Sequence, residues 1–385
     1  MNWPVVSLGE VAAIDRVSAD PTTLDPSTPY VGLEDIERGG RLIGRRSIGE
    51  AQVTSNKFRF DAPHVLFGKL RPNLAKIARP NYSGVCSTDI LPIRVGNRLD
   101  AGYLTHYMRQ PEVVAWSASQ SAGANLPRLS PNALLGLVLP LPPLDEQRRL
   151  AVILDKAESV VRSWSRAKSA ADGLAGAIFD QMFGDPVRNM LGYSVRELKD
   201  WVDPRSPITY GILKPGPDEP DGVPYIRVVD IRDNEILTGS IRRTSAKIAD
   251  SYRRSTVASG DLVISIRGHV GRLGVVPPSL DGANITQDSA RLRIAGAAGS
   301  YVAAALETPA MVHWMAQRTK GVAVRGINIG DLRQAPVPVP PEPEIERFAA
   351  ARAEVQRFRR KALKQMFEAT CLARSLQQRA FSGQL

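Results

Sequence analysis

The chain has 385 residues, 50 Lys and Arg against 39 Asp and Glu, and a formal charge of +11. At about 100–200 residues per domain this length predicts two or three domains, and 43% apolar with 23% charged residues excludes a disordered chain. Two cysteines, Cys86 and Cys371, exclude a disulfide framework or a four-cysteine zinc site; no apolar run reaches the roughly 18 residues of a membrane span, and the N-terminus lacks a signal-peptide layout, so a soluble, cytoplasmic protein is expected.

In chain order, residues 1–143 read as a mixed α+β segment, helical over 103–117, where Leu104, Met108, Val114 and Trp116 fall at roughly helical spacing. Residues 144–184 form a spacer helix. Leu144–Phe183 holds no proline, and Leu150, Leu154, Val161, Trp164 and Ile178 mark a heptad-like stripe between Pro143 and Gly184-Asp185-Pro186. Residues 185–341 are a second mixed segment, with strands over 261–266 and 291–294 and a helix over 301–317. Residues 342–385 form a second spacer helix lined by Phe348, Val355, Met366 and Leu372. At ~1.5 Å per residue each long helix spans about 55–60 Å.

Self-comparison sets the architecture. Residues 138–146 recur as 336–344, with prolines 140, 142 and 143 matched by 338, 340 and 341 at an offset of 198. The same offset pairs Pro111 with Pro309, Trp116 with Trp314 and Gly123 with Gly321. Residues 30–36 match 225–231 at an offset of 195, and 5–8 resemble 195–198 at an offset of 190. Anchors kept in this order mean a tandem duplication of roughly 190 residues. A long helix needs a cover for its apolar stripe, so the two helices are expected to cover each other, antiparallel, with the mixed domains at opposite ends of a rod. The expected fold class is α+β: two duplicated α/β domains separated by a coiled-coil-like pair of long helices.

Catalytic signatures are missing. Gly68-Lys69 is followed by Leu70 rather than Ser or Thr, so there is no phosphate loop, and the glycine-rich 268–274 reads as a turn between strands. His64, His106, His269 and His313 form no metal-ligand pair, Cys86 has no Cys/His pattern around it, Asp288 reads as a polar turn, and an Asn-Pro-Pro-Tyr or Asp-Pro-Pro-Tyr motif is absent. The expectation is a non-catalytic chain without metal or cofactor. Its charge is spread as +3 over 1–143, 0 over 144–184, +4 over 185–341 and +4 over 342–385, which fits a polyanion touched at two places or, equally, ordinary solubility.

The junction Leu139-Pro140-Leu141-Pro142-Pro143-Leu144-Asp145-Glu146-Gln147-Arg148-Arg149-Leu150-Ala151, together with 177–184 (AIFDQMFG) and 376–385 (LQQRAFSGQL), resembles the specificity subunit of Type I restriction–modification systems. The resemblance covers essentially the whole chain; the second junction departs from it, carrying Glu342-Pro343-Glu344-Ile345-Glu346-Arg347 without the Glu-Gln pair, so its helix is expected to start a residue or two later. It implies two target recognition domains, each reading one half of a bipartite double-stranded DNA target, and two helices acting as a ruler. It also implies two docked DNA methyltransferase subunits that bind S-adenosylmethionine and methylate adenine at N6, and a restriction/translocase partner that uses ATP and Mg. The competing reading is a two-domain adaptor or scaffold without DNA contact; duplex binding that depends on salt separates the two.

Candidate DNA contacts come from local chemistry, with base edges read in the grooves and Lys or Arg on phosphates fixing register. Lys69, Arg71, Asn73, Lys76 and Arg79 form a basic-polar loop after a strand, and Arg267, His269 and Arg272 occupy the corresponding region of the second copy. Arg128 and Arg325 lie in the matched stretches 123–130 and 321–328, where Asn125 and Asn328 are candidates for adenine edges, and Arg253 and Arg254 are phosphate candidates.

Overall fold

The structure is a computed structural model and describes residues 3–232, 234–321 and 325–385. It divides into two compact units, one of residues 1–165 with 364–385 and one of residues 166–363. No helix among the described residues is long and apolar enough to cross a membrane.

Unit 1 is built on two small sheets. One is antiparallel, in the order Ala12–Ile14, Ile90–Val95, Val65–Gly68, Ile77–Ala78. The other has five strands, with Tyr30 and Val85 in a parallel pair. Alternation buries Val65, Phe67, Leu91 and Ile93 against Tyr103, Leu104 and Met108 of the helix Ala101–Met108. Unit 2 repeats the plan: Leu262–Ser265 pairs with Leu273–Val275 and Ser289–Leu292 within a six-stranded sheet, and Tyr301, Val302 and Leu306 cover it. The glycine-rich stretch closes that first hairpin as expected, with Gly268 and Gly271 at φ +73° and +91°, where a side chain is disfavoured.

The duplication is visible atom by atom. Val5 pairs with Pro140 in unit 1 and Val195 with Pro338 in unit 2, so two sequence anchors of different offset are cross-strand partners. Tyr103 Oη donates to Pro140 O at 2.8 Å, and Tyr301 Oη donates to Pro338 O at 3.1 Å. Phe381 packs on Tyr103 with centroids 5.3 Å apart, and Phe183 packs on Tyr301 at 5.0 Å. In each unit, therefore, one long helix begins beside the mixed domain and the other ends on its repeated tyrosine.

The long helices run Leu144–Phe183 and Glu342–Phe381, both 40 residues. The second thus starts at the position matching Leu144, not later as its altered junction suggests. Gln147, fully buried, fixes the first start by donating to Arg98 O and Pro142 O and accepting from Asp100 N. At the matching position Ile345 is 7% exposed in the unit 2 core, so an apolar anchor replaces a polar one without moving the helix. Leu150, Leu154, Phe348 and Val355 are buried, while Val161, Trp164, Ile178 and Met366 are half-buried. Leu372 is instead 60% exposed: the buried line follows Ala362, Met366, Ala369, Ala373, Leu376 and Ala380, alternating steps of three and four, which leaves Leu372 one position off it. The expected helices over 103–117 and 301–317 are each two helices, Ala101–Met108 with Pro111–Ser119 and Gly296–Glu307 with Pro309–Gln317. Proline has no N–H to continue a helix and forces the residue before it into extended geometry, as at Gln110 and Thr308.

A charged clamp joins the domain helix of unit 1 to the first long helix. His106, 3% exposed, lies with Nε2 2.8 Å from Asp155 and Nδ1 3.5 Å from Glu158. Arg109 reaches Glu158 at 3.2 Å and also donates to Ile77 O and Gly40 O; Arg79 and Arg162 flank the pair at 2.9 and 3.1 Å. Burial alone would lower the His106 pKa, but the hydrogen bonds and charges of Asp155 and Glu158 outweigh it and raise it above 6.5. Burial opposes the ionised Glu158 carboxyl, yet His106, Arg109 and Arg162 hold its pKa at about 2. The contribution of His106 is full below its ordinary value of 6.5 and is lost as pH rises through the raised one. That of Glu158 is full above 4.5 and is lost as pH falls toward about 2. Unit 1 is expected to melt highest between those ordinary values, and His106→Gln to flatten the decline on the alkaline side. Parallel melting profiles for the two proteins would show that the clamp does not titrate this way.

Candidate nucleic-acid interface

In each unit, a loop leaving a central strand is bridged to a second loop far along the chain. In unit 1, Lys69 follows the strand Val65–Gly68; its N–H donates to Asp89 O at 2.9 Å and its carbonyl accepts from Leu129 N at 3.0 Å. Arg71 N donates to Pro127 O at 2.8 Å, and Leu70 pairs with Arg128. In unit 2, Ile266 N donates to Asp288 O at 2.8 Å and accepts at its carbonyl from Ile327 N at 2.9 Å; Gly268 N donates to Arg325 O at 3.0 Å, and Arg267 pairs with Gly326. The second loops close on themselves alike, through Ala122 with Arg128 and Lys320 with Gly326. Residues 322–324 of the stretch 321–328 lie outside the described residues.

The side chains on this shared frame differ. In unit 1, Arg128 from the second loop holds Asp89 at 3.0 Å and Lys69 lies 3.9 Å from it. In unit 2, Arg267 from the first loop sits 3.9 Å from the matching Asp288 and donates to Gln287 Oε1 at 3.1 Å, while Gly326 occupies the place of Arg128. One acid thus anchors one arginine in both units, from opposite loops. Bonding to Asp89 also raises the Arg128 pKa, so its charge is permanent. Arg71, held at φ +51°, is exposed, as are Asn73, Asn125, His269, Arg325 and Asn328. Among the described residues, neither Arg71 nor Arg325 forms an ion pair, so both charges face solvent.

Other candidates lie elsewhere. Lys76 is half-buried and donates to Leu33 O at 2.6 Å, and Arg79 is spent on Asp155 of the long helix, so both hold the fold rather than join the loop surface. Arg272 is half-buried on the hairpin, its N–H donating to Ser265 Oγ, which in turn donates to His269 O. Asn328 is the N-cap of the short helix Ile329–Arg333. Arg253 and Arg254 stand on the 3-10 turn Arg253–Ser255, beside a separate cavity. Asp89 was missed at the sequence level and Asp288 was read only as a turn, although each stands just before a strand in its copy.

Comparison with known proteins gives three further findings. Residues 1–163 match the family model "Type I restriction modification DNA specificity domain". The Type I restriction enzyme EcoBI specificity subunit of Escherichia coli is 27% identical over 310 residues, covering 72% of this chain and 65% of that protein; the EcoDI specificity subunit is 27% identical over 187 residues, covering 47% and 41%. The chain thus matches less than two thirds of the length of either relative. Among solved structures, the Type I restriction–modification S subunit from M. genitalium shares the fold at a TM-score of 0.65 and 12% identity, over 99% of this chain and 96% of that one.

Proposed function

Because residues 1–163 match the DNA specificity domain of Type I restriction–modification systems and the chain is similar to two specificity subunits, we propose that it is such a subunit and that each of its units reads one half of a bipartite DNA target. The observation that carries this reading is the repeated pair of bridged loops, the same backbone in both units but furnished with different side chains. A common frame with unlike side chains suits two different half-sites. Charge-assisted contacts to phosphates fix register, and arginine forks discriminate guanine edges in the major groove. In this reading the chain carries out no chemistry. Methyltransferase subunits docked on it supply S-adenosylmethionine and methylate adenine at N6, a restriction/translocase partner supplies ATP hydrolysis, and the long helices set the spacer between half-sites.

The test is made on Arg71 and Arg325, the exposed arginines of the bridged loops that have no carboxylate partner among the described residues. Arg325→Ala is expected to weaken duplex binding by ~1–3 kcal/mol and to relax one half-site only; Arg71→Ala is expected to act on the other half-site. Methylome sequencing of strains carrying each variant reads both effects. Full methylation of an unchanged motif in both strains would remove the loops from the interface.

A further inference from the structure

A cavity of about 680 Å³ in unit 2 is lined by six arginines: Arg205, Arg253, Arg254, Arg291, Arg293 and Arg333. Arg291 and Arg293 alternate along the strand that begins at Ser289, so they share a face, at the end away from the Asp288 that anchors the recognition loop. Three of the six are matched by acids: Arg293 by Asp261 at 2.7 Å, Arg205 by Asp203 at 3.4 Å and Arg253 by Asp250 at 3.8 Å. Among the described residues, Arg254, Arg291 and Arg333 form no ion pair. The one acid on the lining, Asp281, accepts from Ser259 N.

Arg291 is the informative member. It is 4% exposed, and among the described residues its guanidinium donates only to Thr256 O at 2.8 Å and Pro207 O at 3.4 Å, with its Nε lacking a hydrogen-bond partner. Burial and the neighbouring Arg293 depress its pKa, and the charges of Asp261 and Asp203 offset this only in part. A cation buried without a counter-charge is costly to hold. The duplicated scaffold does not require one there: Val263 faces Arg291 in unit 2, whereas the matching Leu66 of unit 1 faces Pro92. One copy only thus carries a buried arginine with no ion-pair partner among the described residues, in a basic cavity where an anion would supply the missing counter-charge.

We propose that this cavity is a phosphoryl-anion site peculiar to unit 2. Guanidinium forks match the geometry of phosphate oxygens. The occupant is either a backbone phosphodiester of DNA, which rests on the reading above, or a free phosphate-bearing solute, which does not.

The experiment uses the full chain, with Arg254→Gln as an exposed variant that leaves the fold alone and Arg291→Met as the buried one. Thermal melting in millimolar sodium phosphate is compared with sodium chloride at equal ionic strength, and duplex affinity is measured against salt. Wild type is expected to gain melting temperature in phosphate beyond chloride, with severalfold smaller gains in both variants; Arg291→Met, freed of its unpaired charge, is expected not to melt lower in chloride. If the phosphodiester is the occupant, Arg254→Gln lowers the slope of log affinity against log salt by about 0.9. A lost phosphate response with an unchanged slope assigns the site to a free anion. A phosphate response in a chain that binds no DNA keeps the site and removes the DNA reading. Equal phosphate responses in all three proteins, or none in any, together with equal salt slopes, overturn the proposal.

Discussion

Arg352→Ala is expected to cost unit 2 about 3–5 kcal/mol, the penalty of breaking a buried ion pair by removing one partner. Arg352 is 4% exposed on the second long helix; it grips both oxygens of Glu307 at 3.0 and 2.9 Å and donates to Ser300 O. Burial already pushes the Glu307 carboxyl above its usual pKa, with Arg352 only partly offsetting it, so removing the arginine leaves a buried acid whose charged form is disfavoured further. Glu307→Gln added to Arg352→Ala is therefore expected to recover part of the loss. Denaturant unfolding reads both, and a single-variant loss under about 1 kcal/mol would mean that the pair is solvated. The clamp of unit 1 has the opposite polarity. At the position of Glu307 stands Arg109, and its partner Glu158 belongs to the helix. Exchanging the domain helices between units would set Arg109 against Arg352, so each clamp also selects its own domain.

The repeat, the proline stops and both long helices were legible because they depend on local composition and on self-similarity. Two of the repeat's anchors are cross-strand partners in each unit, Val5 with Pro140 and Val195 with Pro338, a pairing that self-similarity alone does not reveal. The breaks at Pro111 and Pro309 were equally legible in principle; helical spacing on either side masked a rule that proline alone enforces. The loops stand out in the sequence because basic and polar residues follow a buried strand. What each charge does there was not legible, since it depends on partners distant in sequence. Arg128 meets Asp89 39 residues away, Arg79 meets Asp155 76 away, and His106 meets Asp155 49 away. Lys76 and Arg71 look alike in sequence, and only a carbonyl from 43 residues upstream of Lys76 separates them. Arg291 reads as an ordinary strand residue until the other arginines gather around it.

Removing one heptad from each long helix, residues 163–169 and 362–368, is expected to shorten the spacer of the methylated target or to abolish methylation. The deletions fall outside the charged clamps, between Arg162 and Asp172 on one helix and between Arg359 and Ala369 on the other. Phase is kept, because the stripe repeats every seven residues: Trp164 is succeeded by the buried Ala171, and Ala362 by Ala369. At ~1.5 Å per residue the helices lose about 10 Å, which at ~3.4 Å per base-pair step is about three base pairs of spacer. Four residues removed from the first helix alone instead turn its stripe by about 40° against 3.6 residues per turn. That variant is expected to lose methylation outright, since Phe179 and Phe183 could no longer meet Phe348 and Tyr301 in phase. Methylome sequencing of strains carrying either deletion distinguishes these outcomes. An unchanged motif with an unchanged spacer after the paired heptad deletion would mean that something other than helix length measures the DNA.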